Sequence, residues 1–158
     1  MSAALRLQVL EFLHAHHVLS LSTSSADGPW AAALFYVCDA DLNLYFLSDP
    51  ATRHCRDLEL DARVAVTVNL HHADWTEIRG LQIAARAAAV ATEEREAIEQ
   101  RYLERFPDIR ALVSEPRVPQ AQAVAQRFTS SRFYRIVPER VRWIDNTRGF
   151  GYREELRL

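Results

Sequence analysis

No Walker A loop, GxGxxG, HExxH or GxSxG tract occurs in this 158-residue chain. The common P-loop, dinucleotide-binding, zinc-protease and serine-hydrolase signatures are therefore excluded as sources of chemistry. Cysteine is scarce. Cys38 and Cys55 are the only two, and they form neither a CxxC pair nor any metal-ligand spacing, so a disulfide framework and a zinc site are not expected. A reduced, cytoplasmic setting is the natural expectation. No apolar run reaches the length that spans a bilayer. The first 17 residues are amphipathic rather than basic and then apolar, so they read as a helix and not as a signal peptide. Formal net charge is only −2; nothing draws the whole chain to nucleic acid or to an anionic membrane. Linkers, repeats and charge blocks are absent as well, which leaves a single domain over residues 1–158 as the expectation.

What is present is a chain 49% hydrophobic and 25% charged, ordinary for a globular domain with a real core. Leu5, Val9, Phe12 and Leu13 fall at helical spacing and predict a helix over residues 2–17. Residues 18–24 alternate apolar and small polar side chains. A turn at 26–29 separates them from an apolar strand at 30–38, and a third strand at 43–48 completes a meander. A helix at 51–60 leads into a valine-rich strand at 62–69. Residues 77–90 carry helix-favouring alanines, but the alternation of Ile78, Leu81 and Ile83 and the presence of Gly80 favour a long, bent strand, with Gly80 as a bulge or a point of close approach. A helix follows from Thr92, closed by Pro107, then a short helical turn at 108–113. Residues 114–126, with two prolines and little periodicity, read as a surface loop with at most a helical turn at 120–126. Strands at 132–137 and 140–145, hinged at Pro138 and Glu139, precede a Gly-Phe-Gly turn. Antiparallel turn signals dominate, so the fold class is mainly β (α+β): a barrel of six to seven antiparallel strands with peripheral helices.

The densest chemistry lies at 43–69. Ser48, Thr52, Arg53 and His54 gather hydroxyls, a guanidinium and an imidazole where a strand becomes a helix, and helix N-termini favour anions. Arg adds a fork of donors suited to phosphate. The same residues also serve as a plain helix start, with Asp49 capping and Pro50 at the first helical position. Ala31 to Ala33 would let a planar ligand approach the second strand closely. Cys55, beside Arg53, His54 and Arg56, is open to two readings, a reactive thiol or a packing residue. Asp57, Glu59 and Asp61 read as solvated surface, and the run 132–135 as strand alternation rather than a nucleic-acid patch. His14, His16 and His17 read as a cationic helix end. His71, His72 and Asp74 sit in a tight loop that does not converge them on a metal. No acid, base or nucleophile is named, which is what a cofactor-dependent protein looks like, because the cofactor carries the chemistry.

Four motifs in order span residues 18–151: Thr52-Arg53-His54, then Ile78-Arg79-Gly80-Leu81-Gln82-Ile83, then Arg105-Phe106-Pro107, then Asp145-Asn146-Thr147-Arg148-Gly149-Phe150-Gly151. Together with the segment order they resemble the pyridoxamine-phosphate-oxidase-like family of FMN-binding split barrels, and most closely its uncharacterised YhbP-like branch. The resemblance implies a six-stranded antiparallel split barrel, FMN, and a homodimer with two flavins at the subunit interface. Its FMN-holding positions match Leu47, Ser48, Arg53 and His54, with His54 standing where the oxidases carry lysine. Their flavin-side glutamine falls at Gly80, so Gln82 would take over that contact. Backbone of residues 30–34, Ala33 included, would face the ring, and Asn146 to Phe150 of either subunit would close over it. The oxidases' substrate-binding Trp and Arg have no secure match, so pyridoxamine phosphate oxidation is not carried over. The expected function is a flavin-dependent oxidoreductase acting between an electron donor and an unknown small molecule. The alternative is a non-catalytic module that binds flavin, haem or a deazaflavin.

Overall fold

The computed structural model describes residues 3–158. A 13-residue helix, α1 (Ala3–Ala15), leads into β1 (Val18–Ser25), β2 (Gly28–Cys38) and β3 (Leu44–Ser48). Then come α2 (Arg53–Leu60), β4 (Arg63–Asn69) and β5 (Arg79–Ala89), followed by three helices, α3 (Arg95–Arg105), α4 (Pro107–Ser114) and α5 (Pro119–Ser130). The chain ends with β6 (Arg132–Asp145) and β7 (Arg153–Arg157). Every strand pairing is antiparallel, and β3 pairs with β6 as well as β2, so β1–β2–β3–β6–β5–β4 closes a six-stranded ring with β7 added beside β6. Six or seven antiparallel strands with helices around them is the architecture the sequence pattern implies.

Alternation builds the interior. β1 and β4 bury every second residue, because successive side chains on a strand face opposite ways. Leu19, Leu21, Val64, Val66 and Val68 thus meet Phe46, Leu81, Ile83 and Ile136 inside the barrel, and α1 lays Leu5, Val9, Phe12 and Leu13 against them. Burying each such side chain is worth about 1.5–3 kcal/mol. A second apolar cluster lies outside the ring, where Tyr45 and Phe133 pack on Ile98, Tyr102, Phe106 and Phe128 of the helical segment.

The barrel is split on one side. β3 pairs with β2 only through Tyr36↔Phe46, Val37↔Tyr45 and Cys38↔Leu44. Beyond that point residues 28–35 of β2 keep β1 as their only strand partner, and one backbone edge stays open.

Several local readings need correction. Helix α2 starts at Arg53, not residue 51, because Asp49 ties a turn first: its carboxylate accepts from Ala51 N (2.8 Å) and its carbonyl from Thr52 N (3.0 Å). Of residues 114–126 only 115–118 connect helices; the rest of the expected loop belongs to α5, which runs well beyond the single turn expected at 120–126. Pro119 occupies the first turn of α5, where its missing N–H costs nothing, and Ala121 and Phe128 are its buried contacts. Pro107, expected just beyond the end of the helix before it, lies there and also opens α4, the helical turn expected at 108–113. There is no hinge at Pro138. β6 runs through it, and the pairing slips by one residue between Ala84↔Arg140 and Ala85↔Pro138, which leaves Glu139 as a bulge. Gly80 lies in regular register with Asn69 and Ile144. A Cβ there would stand 2.9 Å from Val68 O, so close approach, not a bulge, is its reason.

Candidate functional site

The junction of β3 and α2 places the expected phosphate-binding group, and it divides it. Consecutive helical residues point about 100° apart, so Arg53 and His54 face different surroundings. Arg53 reaches to the β1–β2 hairpin. Its Nη2 donates to Asp27 O (3.1 Å) and Gly28 O (3.2 Å), and its guanidinium lies 4.7 Å above the Trp30 ring. Its Nε sits 3.9 Å from Asp57 Oδ2, and Thr23 Oγ1 donates to the same oxygen at 2.8 Å. Asp57 is buried, not part of a solvated face, since the i+4 position puts it under Arg53.

His54 turns inward and is buried. Its Nε2 lies 2.8 Å from Ser48 Oγ and 3.2 Å from Thr52 Oγ1, whose hydroxyl donates to Asp49 O at 2.8 Å. Cys55, next along the helix, is fully buried. Burial pushes its thiol up, but hydrogen bonds from His54, Thr52, Tyr134 and Ser48 outweigh it and leave the thiol below its ordinary value. With no exposed surface it packs rather than reacts. Ser48, Thr52 and Leu47 also line a cavity of about 580 Å³ that runs beneath α5 to Tyr102, Val124 and Phe128. Arg53 is not among its walls.

The other expected residues fall into two further groups. Ala33 and Gln82 are exposed on the outer face of the sheet, in one cross-strand row Ala33↔Ser20↔Thr67↔Gln82↔Arg142. Asn146 and Phe150 belong to the end of β5 and β6 near Gly80. Asn146 N donates to Ile78 O (2.9 Å) and its Nδ2 to Trp75 O (2.8 Å). Phe150 is 85% exposed and stands edge-on to Trp75 at 5.4 Å. The register puts Trp30 level with Thr23, and Phe35 level with Val18; continuing the Ser20↔Thr67 register by two residues brings Val18 level with Asn69, which pairs with Gly80. The Arg53–Trp30 end and the Asn146–Phe150 end are therefore five residues apart along the strands, roughly 17 Å. One protomer does not bring them together.

The Arg53 side chain beside the open edge of β2 stays partly exposed. Arg53 Nε is buried against the Asp57 carboxylate at 3.9 Å, while the side chain as a whole stays 31% exposed. Gly28 leaves open space where a Cβ would stand. The open edge of β2 offers backbone N–H and C=O groups beside it. Sequence reasoning missed Trp30 and Asp57. The Arg53 and Asp57 spacing carried a signal for the second; nothing local marked the first.

An antiparallel barrel that closes incompletely beside β2 defines the split-barrel class. Residues 5–144 match the family model described as pyridoxamine 5'-phosphate oxidase. A UPF0306 protein of Klebsiella pneumoniae is 33% identical over 141 residues, 89% of this chain and 84% of that protein. The UPF0306 protein YhbP of Salmonella paratyphi C is 30% identical over 141 residues, with the same two coverages of 89% and 84%. The chain belongs to the pyridoxamine 5'-phosphate oxidase family, in its YhbP-like branch. Among solved structures, HutZ, the heme storage protein from Vibrio cholerae, superposes with a TM-score of 0.65 at 21% identity, over 84% of this chain and 88% of that one. A FAD-binding protein from Mesorhizobium loti does so with a TM-score of 0.65 at 20% identity, over 89% and 92%. These likenesses bear on the fold. No described helix is long and apolar enough to cross a membrane.

Proposed function

We propose that this protein is an FMN-dependent oxidoreductase that works as a homodimer on a small-molecule substrate. The observation that carries the reading is Arg53, stacked on Trp30 beside the open edge of β2 with its side chain 31% exposed. Arg53 would hold the phosphate, and backbone of residues 30–34 would face the ring. His54 and Ser48 support this corner from behind rather than touching the phosphate, because their polar atoms are committed to each other. When bound, the flavin supplies the electron transfer that no side chain here provides. The FAD-binding neighbour from Mesorhizobium loti and the heme storage neighbour from Vibrio cholerae support a planar cofactor in this fold, and the phosphate corner favours flavin over haem.

A second copy would complete the divided site. The outer face of the sheet carries small residues, Ser20, Ser22, Ala31, Ala33 and Ala65, on which another sheet can lie flat. A two-fold axis across the strands reverses their direction, which would bring the partner's Asn146 and Phe150 to the Arg53 end. The test is an FMN titration with sedimentation of the same sample. A yellow dimer holding one FMN per chain is expected; a colourless protein that takes up neither FMN nor FAD ends the proposal.

A further inference from the structure

The outer face of the sheet carries serine and alanine on β1 and β2, and gathers arginine toward β5, β6 and β7. The register sets Arg63 directly opposite Arg86, and Arg140 directly opposite Arg157. Like charges placed opposite each other on a sheet cost stability. The two rows adjoin. Arg86 pairs with Val137 and Ala84 with Arg140, across the bulge at Glu139, so Arg86 and Arg140 are diagonal neighbours. The arginines flanking them are neutralised: Asp61 clasps Arg63 at 2.7 Å, and Glu155 meets Arg157 at 3.6 Å and Arg142 at 3.3 Å. Arg86 and Arg140 are exposed and, among the described residues, have no carboxylate within ion-pair distance. Asp61 feels the Arg86 charge too, but both its oxygens are taken by Arg63. Two adjacent, unbalanced cations weaken the sheet that carries them.

A trough lies beside them. Ala65 and Ala84 face each other across β4 and β5, and their small side chains leave a hollow of about 300 Å³ walled by Thr67, Gln82, Arg140 and Arg142. That volume stands at the lower end of the range for small-molecule sites. No carboxylate lines it. Its polar side chains are two guanidinium forks, an amide and a hydroxyl, all able to donate, and the fork geometry suits carboxylate and phosphate oxygens. A singly charged ligand would balance only one of Arg86 and Arg140. We infer that this trough binds a small oxyanion carrying two or more negative charges, a phosphate or a polycarboxylate, at a site distinct from the Arg53 corner. Gln82, expected beside a flavin, serves this anion instead.

The experiment uses the full chain with pyrophosphate as the probe, followed by calorimetry. Citrate is the second arm, and sodium chloride at equal ionic strength controls for screening. One anion per chain is expected to bind; the tighter of the two arms tells phosphate from polycarboxylate. Arg86→Ala and Arg140→Ala remove exposed side chains and leave the core untouched, and each should weaken binding about tenfold. Arg110→Ala, on α4, should not. Melting adds a change of sign. At low salt without the anion, the Arg86 and Arg140 variants should melt above the parent, because a like-charge contact is gone. With the anion saturating, the parent should melt above both, because only it binds tightly. The inference is overturned if neither anion binds, if both variants bind undiminished, or if sodium chloride raises the melting temperature as much. Displacement by saturating FMN would overturn it by giving the arginines to the flavin phosphate. So would loss of a dimer in the two variants, since a carboxylate of the second copy would then be the balancing charge. Failure of FMN to bind leaves every other arm intact, so the two readings fail separately.

Discussion

The two faces of α2 differ more than their sequence suggests. On one, Arg53 reaches outward over Trp30 and stays partly exposed; on the other, His54 is buried and bonded to Ser48. The residues are adjacent in the chain and read as one motif, yet helical geometry assigns one to the partly exposed surface beside Trp30 and the other to the packing of the strand-to-helix corner. A contiguous motif is therefore not a contiguous site. His54 at the position of the oxidases' lysine is consistent with this: an imidazole satisfies two neighbouring hydroxyls in a buried corner, which an ammonium could do only at a large desolvation cost.

If the inward face is structural, its disruption shows in stability. The largest effect belongs to the core that this face leans on. Phe46 is fully buried, stacked on Tyr134 at 5.1 Å and 6.2 Å from the His54 ring. Phe46→Ala should cost about 3–5 kcal/mol in chemical denaturation. Next is His54→Ala, which strands the hydroxyl of Ser48 and opens a hole beside it; about 1–3 kcal/mol of stability should be lost, with FMN affinity changed less than by Arg53→Ala. A variant that kept full stability but lost FMN would transfer His54 to the cofactor and erase the contrast between the faces. Asp57→Asn sharpens the outward face. It weakens the support under Arg53 and the bond from Thr23, and about 1 kcal/mol of stability is expected to go.

The smallest effect is a pH dependence far from α2. Burial pushes the Asp39 carboxyl up, but hydrogen bonds from Asn43, Tyr45 and Asp41 outweigh it and hold the group below its ordinary value near 3.8. A depressed carboxylate stabilises the fold above its unfolded pKa, and that contribution is lost as pH falls through the folded value. Thermal melts should therefore drop below about pH 4, and Asp39→Asn should flatten part of that slope.

The barrel was legible because its strands repeat with period two, and β1 and β4 alternate without a break. β7 was not, since Arg153 to Arg157 is charged throughout except for Leu156, its one buried residue. α5 was hidden by Pro116 and Pro119, read as breakers although the second starts the helix. In the site, the chemistry of Arg53 was legible and its surroundings were not. Trp30 is 23 residues away in sequence, and the cavity walls come from β3, α3, α4 and α5, which only the fold assembles. Nor could a linear reading show that Phe150 lies at the far end of the sheet from Arg53.

FMN titration of the parent, Arg53→Ala and His54→Gln side by side, followed by flavin fluorescence, tests the central claim most directly. Loss of a charge-assisted phosphate contact costs about 1.5–3 kcal/mol, roughly 10- to 150-fold in affinity. Arg53→Ala should weaken binding by that factor, and His54→Gln by less than threefold. Equal losses in both variants, or an Arg53→Ala protein that binds as tightly as the parent, would contradict the account.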